Sequence, residues 1–163
     1  MFKMRPKEKF MKLAIEEAKK AAKKGQYALG AVVVDREGTI LSICHTTLHK
    51  VNDPSAHAEM NAIRKAAKNV KSRYLSGAWL YTTQEPCPMC TAVAIWANMG
   101  GIVFGAFEQD ALKIFKKNVG VKFTWRQIKI PAKYVIAQGE PKLELHEGFM
   151  REECIKLYNL NKK

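Results

Sequence analysis

The chain has 163 residues, 47% hydrophobic and 26% charged, with 28 basic against 15 acidic residues and a net charge of +13. That mixture excludes a disordered tail, a collagen or a coiled coil, and the length suits one domain (1–163) with a single core. The charge predicts attraction to polyanions such as nucleic acid and says nothing of the fold.

Residues 8–24 read as an amphipathic helix, because Phe10, Leu13, Ala14, Ala18, Ala21 and Ala22 recur at helical spacing between lysines and glutamates; Gly25 is its expected cap. Leu29 to Val34 and Thr39 to Ile43 flank the turn Asp35-Arg36-Glu37-Gly38 and predict a hairpin. The alanine-rich segment from His57 to about Lys68 predicts a helix. Ala78 to Thr83 is a strand, Cys87 to Asn98 a helix closed by Gly100-Gly101, and Ile102 to Ala106 a strand. A short helix is expected over 110–117, extended chain broken by Pro131 over 121–136, an edge strand over Leu143 to Leu145, and a last helix over 148–160. A hairpin followed by alternating helix and strand predicts an α/β fold with a mixed sheet covered on both faces.

Four cysteines, Cys44, Cys87, Cys90 and Cys154, are too few for a disulfide scaffold. No run of about 18 apolar residues is present and the basic start leads into no apolar segment, so a cytoplasmic protein with reduced thiols and no membrane span is expected. There a Cys-x-x-Cys pair means metal or redox chemistry more often than a bridge. Cys87 and Cys90 are three apart at a helix start, so both can face one ion, and unpaired N–H groups there favour thiolates. Pro88 is tolerated in that first turn because its missing N–H would have no partner.

His57 is the natural third ligand. Three soft or borderline donors suit tetrahedral zinc with a fourth position for water, a catalytic arrangement. Glu59, two residues on, would lie beside the ion without ligating it and could move protons. By itself Cys-x-x-Cys also fits a redox pair or a structural zinc site, with Cys44 or His45 as a fourth ligand. His-x-Glu joined to Pro-Cys-x-x-Cys, both opening helices, is the more specific pattern of zinc-dependent deaminases.

On these residues the chain resembles the cytidine deaminase-like superfamily, in the branch of guanine deaminase, cytosine deaminase and tRNA adenosine deaminase. Gly30-Ala31-Val32-Val33-Val34, Asp53 to Glu59 with Asn61-Ala62-Ile63-Arg64, Leu80 to Thr83, Glu85 to Cys90 and Val103 to Ala106 extend the likeness. The resemblance implies a three-layer α/β/α fold with a central five-stranded mixed sheet, and a homodimer. It implies one zinc per chain on His57, Cys87 and Cys90, with Glu59 as proton shuttle. It also implies main-chain contacts from Ala58 and Pro86 to the base, and closure of the pocket by Phe149 and Tyr158. The branch usually carries Asn seven residues before the Asp of Asp-Pro; here that position is Thr46, which cannot make a two-sided amide contact.

Features of the subfamilies are mixed. Pro86 to Cys90 and Trp96-Ala97 look like the guanine branch; Glu147-Gly148-Phe149 with Glu153-Cys154 looks like the tRNA branch. The expected function is therefore hydrolytic removal of an exocyclic amine from a small amino-heterocycle, a free nucleobase or nucleoside, releasing ammonia. The alternative is a wobble adenosine-to-inosine deaminase of tRNA. A non-catalytic zinc protein is disfavoured by Glu59, which a structural site does not need. The stretch 111–139 holds Lys113, Lys116, Lys117, Lys122, Arg126, Lys129 and Lys133, no acidic residue, and Phe115, Phe123, Trp125 and Tyr134 interleaved. Those aromatics either pack the core or an interface, or stack on single-stranded RNA. Cys44 and Cys154 read as small buried hydrophobes.

Overall fold

The computed structural model describes residues 4–117 and 125–161. Helix α1 (Glu8–Lys23) leads into strands β1 (Gly30–Val34) and β2 (Ile40–His45). A short helix α2 (Leu48–Val51) precedes α3 (Ala58–Val70), β3 (Trp79–Gln84), α4 (Pro88–Trp96) and β4 (Gly101–Ala106). Then come α5 (Glu108–Lys117), α6 (Ala132–Gln138), β5 (Glu144–His146), α7 (Arg151–Lys156) and a 3₁₀ turn, Leu157–Asn161.

The five strands lie in the order β2-β1-β3-β4-β5. β1 runs antiparallel to β2 and β3, while β4 runs parallel to β3 and β5. The sheet is thus mixed, as the hairpin followed by helical crossovers predicted.

Strand periodicity sorts its residues into two cores. Val32, Val34, Trp79, Tyr81 and Val103 pack with α1, α5, α7 and the 3₁₀ turn. Ala31, Val33, Leu80 and Ile102 pack on the other face with α3, α4 and α6. Both faces are apolar, so β1, β3 and β4 are stable only between two helical layers. Each fully buried Val, Leu or Ile here contributes about 1.5–3 kcal/mol. The three-layer arrangement follows.

α1 lies so close to β1 that Gly30 cannot be replaced. A Cβ there would fall 2.1 Å from the Ala14 carbonyl oxygen and 2.7 Å from the Ala18 nitrogen. This contact draws α1 down on the sheet and seats Phe10, Met11, Ala14 and Ala18 in the core.

Two segments differ from the sequence reading. The extended chain expected over 121–136 gives way to helix α6 from Ala132, while 118–124 lie outside the described residues, Lys122 and Phe123 among them. Pro131 starts that helix rather than breaking a strand: Tyr134 N–H donates to its carbonyl at 3.0 Å. The buried Glu85 carboxylate accepts from Ala132 N–H at 3.1 Å, a long-range contact no local pattern encodes. The last helix is α7 continued by a 3₁₀ turn, and α2 was not anticipated. Among the described residues no helix is long and apolar enough to cross a membrane.

Candidate metal centre

Because β1 is antiparallel to β3, the start of β1 and the ends of β2 and β3 meet at one edge of the sheet. The loops 46–57 and 85–87 therefore converge there. The first is braced internally. The Asp53 carboxylate accepts from the Ser55 N–H and hydroxyl at 2.8 and 2.7 Å, and Asn61 Nδ2 donates to the His45 carbonyl at 2.9 Å.

Each loop ends on an extended residue that opens a helix. His57 (ψ 157°) precedes α3 and Cys87 (ψ 168°) precedes α4. Neither side chain caps its helix. Instead His57 Nδ1 lies 3.7 Å from both the Cys87 and Cys90 sulfurs. The three donor atoms all fall within 4.8 Å of one another.

That spacing can be tested against zinc. With Zn–S near 2.3 Å and Zn–N near 2.0–2.1 Å, a tetrahedron separates sulfur from nitrogen by about 3.6 Å. The observed 3.7 Å to each sulfur matches two edges of such a site. The donor chemistry fits as well. Without metal, a proton shared from Cys90, together with His57, pulls the Cys87 thiol down to about 4. The Cys87 sulfur raises His57 against the effect of burial. Cys90, beside that thiolate and buried, is pushed up. One cation on the three donors would remove this competition for protons.

Cys44 and His45 do not join the cluster. His45 Nδ1 lies 2.7 Å from the Glu17 carboxylate, and Cys44 sits half-buried on another surface groove. Among the described residues the cluster numbers three, as catalytic zinc sites require. Cys154 is buried, its thiol pushed up to about 12 by burial, as a small core residue should be.

Glu59 stands in the first turn of α3, buried beside the cluster. Burial raises its pKa, which suits a group that takes up and releases protons. The Thr82 hydroxyl donates to its Oε1 at 3.1 Å and fixes the carboxyl.

A cavity of about 750 Å³ opens over these residues, lined by His57, Glu59 and Cys87 on its floor. Tyr27, His49 and Trp125 form an aromatic wall: Tyr27 lies 5.3 Å from His49 and 5.4 Å edge-on from Trp125. Gln84, Gln127 and Arg126 also line it. A cavity of this size with an aromatic wall and a few polar groups beside a buried carboxyl can hold an aromatic ring.

The sequence reading missed most of this wall. Tyr27 precedes β1 in a segment without a pattern. Trp125 is one of the interleaved aromatics, and the structure places it in the core packing expected as one of its two roles. It stacks on core Phe115 at 4.7 Å, nearly parallel, and also faces the cavity. The Trp125 indole N–H donates to Gln127, which donates to Glu108. Glu108 N–H in turn donates to Glu85, so the wall is tied to the loop before Cys87.

Two expected substrate contacts lie outside the cavity lining. Thr46 is fully buried and is not among the cavity-lining residues; its hydroxyl donates to the Ala56 carbonyl at 3.2 Å. Phe149 is held by its N–H on the Phe104 carbonyl and packs against the α1-side core, also away from the cavity. Tyr158 is buried too, but its hydroxyl donates to Gln84 in the cavity wall at 2.8 Å. Ala58 and Pro86 are buried beside the ligand-bearing His57 and Cys87.

Comparison with known proteins bears on the same residues. The family profile of the cytidine and deoxycytidylate deaminase zinc-binding region matches residues 4–106, which contain all three candidate ligands and Glu59. A tRNA-specific adenosine deaminase of Aquifex aeolicus is 41% identical over 63% of this chain and 68% of its own. One from Buchnera aphidicola is 33% identical over 91% of this chain and 88% of its own. A guanine deaminase of Bacillus subtilis is 33% identical over 77% of this chain and 78% of its own. The solved guanine deaminase of Nitrosomonas europaea shares the fold, with a TM-score of 0.80 over 97% of this chain and 86% of that one, at 20% identity. With the profile spanning both helix starts that carry the converging His57, Cys87 and Cys90, this chain belongs to the cytidine and deoxycytidylate deaminase zinc-binding family.

Proposed function

We propose that the protein is a tRNA adenosine deaminase that converts adenosine to inosine at the wobble position. The observation that carries this is similarity to tRNA-specific adenosine deaminases along nearly the whole chain. The surface at the cavity supports it. Arg126 lines the cavity, and Lys129 and Lys133 are exposed on the segment that follows. Ile128 and Tyr134, each 59% exposed, alternate with them, and no acidic residue falls between 125 and 134. Cations interleaved with exposed apolar groups suit a single-stranded RNA loop.

The reaction exchanges a ring amine for a carbonyl: water adds to the ring carbon and ammonia leaves. Zinc bound on His57, Cys87 and Cys90 supplies the Lewis acidity that makes water nucleophilic near neutral pH. Glu59 would take one proton from the attacking water and deliver it to the adjacent ring nitrogen, then move the remaining hydroxyl proton to the amine, which leaves as ammonia as the carbonyl forms. Thr82 holds its carboxyl in place for those transfers. Tyr27, His49 and Trp125 stack about the base and shield it from solvent. Main-chain contacts from Ala58 and Pro86 to the base complete this reading.

The same reading includes a homodimer through the outward face of α4, which carries no charged side chain and exposes Trp96 to 81%. It also places the protein in a reducing, cytoplasmic setting, which accords with four free cysteines.

A second reading, deamination of a free nucleobase, is favoured by the guanine deaminase relative. One experiment separates them. The zinc-loaded protein is given an anticodon stem-loop with adenosine at the wobble position, and separately guanine, cytosine, adenine and their nucleosides. Inosine in the stem-loop, with affinity falling steeply in salt, supports the RNA reading. Ammonia released only from a free base or nucleoside overturns it.

A further inference from the structure

We propose that Gln84 is a specificity-determining residue, whose side-chain amide donates a hydrogen bond to an acceptor on the substrate base. Gln84 ends β3, directly before the loop that carries Cys87, and lines the same cavity as Glu59. Three side-chain amides line that cavity: Asn52, Gln84 and Gln127. Gln127 is committed at both ends, accepting from Trp125 and donating to Glu108. Asn52 is exposed at the C-terminal end of α2. Gln84 differs from both. It is half-buried, and its Oε1 accepts from the Tyr158 hydroxyl at 2.8 Å.

That bond sets the polarity of the amide. Tyr158 is fully buried, and burial keeps its phenol protonated, so it remains a donor. That bond orients the amide with its carbonyl toward Tyr158 and leaves its N–H₂, which has no hydrogen-bond partner among the described residues, as the group open to the cavity. A half-buried donor at a cavity wall has two states. Water meets it while the cavity is open; a closely fitted ring displaces that water and must supply an acceptor instead. A base with a ring nitrogen or carbonyl facing β3 satisfies it, and one presenting C–H or N–H there leaves it unpaired. Discrimination of this kind comes from the unpaired polar group and not from lost attraction. Tyr158 acts through Gln84 and is a positioning residue. It carries the end of the chain, through the 3₁₀ turn, into the choice of base.

This inference rests on base deamination at the cavity and holds for either substrate source. The test uses the zinc-loaded protein and a stem-loop bearing adenosine, 7-deazaadenosine or 3-deazaadenosine at the target position. Each deaza analogue replaces one ring-nitrogen acceptor by C–H. If the unaltered protein does not deaminate the adenosine stem-loop, the RNA reading fails, and the same substitutions are run on whichever free base or nucleoside is turned over. Gln84→Glu keeps an acceptor for Tyr158 and removes the donor. The double variant Gln84→Leu/Tyr158→Phe replaces both polar partners by apolar groups and leaves neither unpaired.

Both are expected to lose three- to tenfold or more in kcat/KM on the natural base, and to lose the unaltered protein's discrimination against one of the two analogues. Tyr158→Phe alone should raise KM more than it lowers kcat, since it loosens the amide without removing it. An equal loss on all three substrates would make Gln84 merely structural and overturn the proposal. Unaltered kcat/KM in both variants would overturn it as well.

Discussion

Replacing Glu59 by Gln separates chemistry from folding at this site. The amide matches the carboxyl in size and retains an oxygen for the Thr82 hydroxyl, now 3.1 Å from Oε1. The three metal donors are untouched. What disappears is the proton acceptor. Each general acid–base step contributes about 10²–10⁴-fold, and in the proposed mechanism Glu59 serves both the attack of water and the departure of ammonia. A loss of at least 10³-fold in kcat is expected, about 4 kcal/mol at 1.36 kcal/mol per decade. Stability should move the other way. Glu59 is 6% exposed and its pKa is raised by burial, so the native state carries the cost of holding that group. A neutral amide removes the cost, and the variant should melt at the same temperature or higher, as active-site substitutions often do. The assays are ammonia release, zinc content and thermal unfolding of the zinc-loaded protein. Zinc content near one per chain, intact folding and kcat within tenfold of the unaltered protein would refute the assignment of Glu59 as proton shuttle.

Three further outcomes are expected. Protein purified under reductant without chelator should contain about one zinc per chain, and Cys90→Ser should lower that content and the melting temperature together, because the ion binds the native state and not the unfolded chain; full zinc occupancy in that variant would contradict the ligand set. Gly30→Ala should destabilise by about 3 kcal/mol in denaturant titration, since its Cβ would meet α1 backbone at 2.1 Å and backbone cannot rotate aside; a change under 0.5 kcal/mol would show that α1 does not seat that closely. Asp110 is buried, and although burial raises its pKa, Arg151 at 2.8 and 3.0 Å and the Phe107 N–H outweigh this and hold it below the usual carboxylate range. A depressed native pKa stabilises above the unfolded value and is lost as pH falls through the native one. Asp110→Asn should therefore cost about 1–3 kcal/mol at pH 7. Its deficit against the unaltered protein should shrink below about pH 4, and a deficit constant with pH would discount the pair.

The metal donors were legible because their chemistry is local. Cys87 and Cys90 are one helical turn apart, and His57 and Glu59 flank one helix start, so each half of the site is written in a few consecutive residues. The strands of the sheet were legible for a related reason: apolar runs such as Gly30–Val34 and Trp79–Tyr81 can be stable only when covered on both faces. The reading of 132–136 as extended chain failed because Pro131 signals a break in either element. What decided it was the buried Glu85, distant in sequence, accepting the first N–H of α6.

The cavity wall belongs wholly to tertiary structure. Tyr27, Gln84 and the neighbours Trp125 and Gln127 come from three separate segments; the antiparallel β1–β3 pairing brings Tyr27, before the start of one strand, beside Gln84 at the end of the other, and the 125–127 stretch packs over them. The placement of Thr46 and Phe149 was likewise not readable from the sequence. Position along the chain does not say which way a side chain points, and in this packing the Thr46 hydroxyl is spent on Ala56 while Phe149 turns to the α1 side. The sequence alone determined the candidate metal donors and the deaminase family, and marked Glu59 as the candidate proton shuttle, since those depend on residue types at short range. Which groups line the cavity was decided only by packing, since that depends on where three distant segments converge.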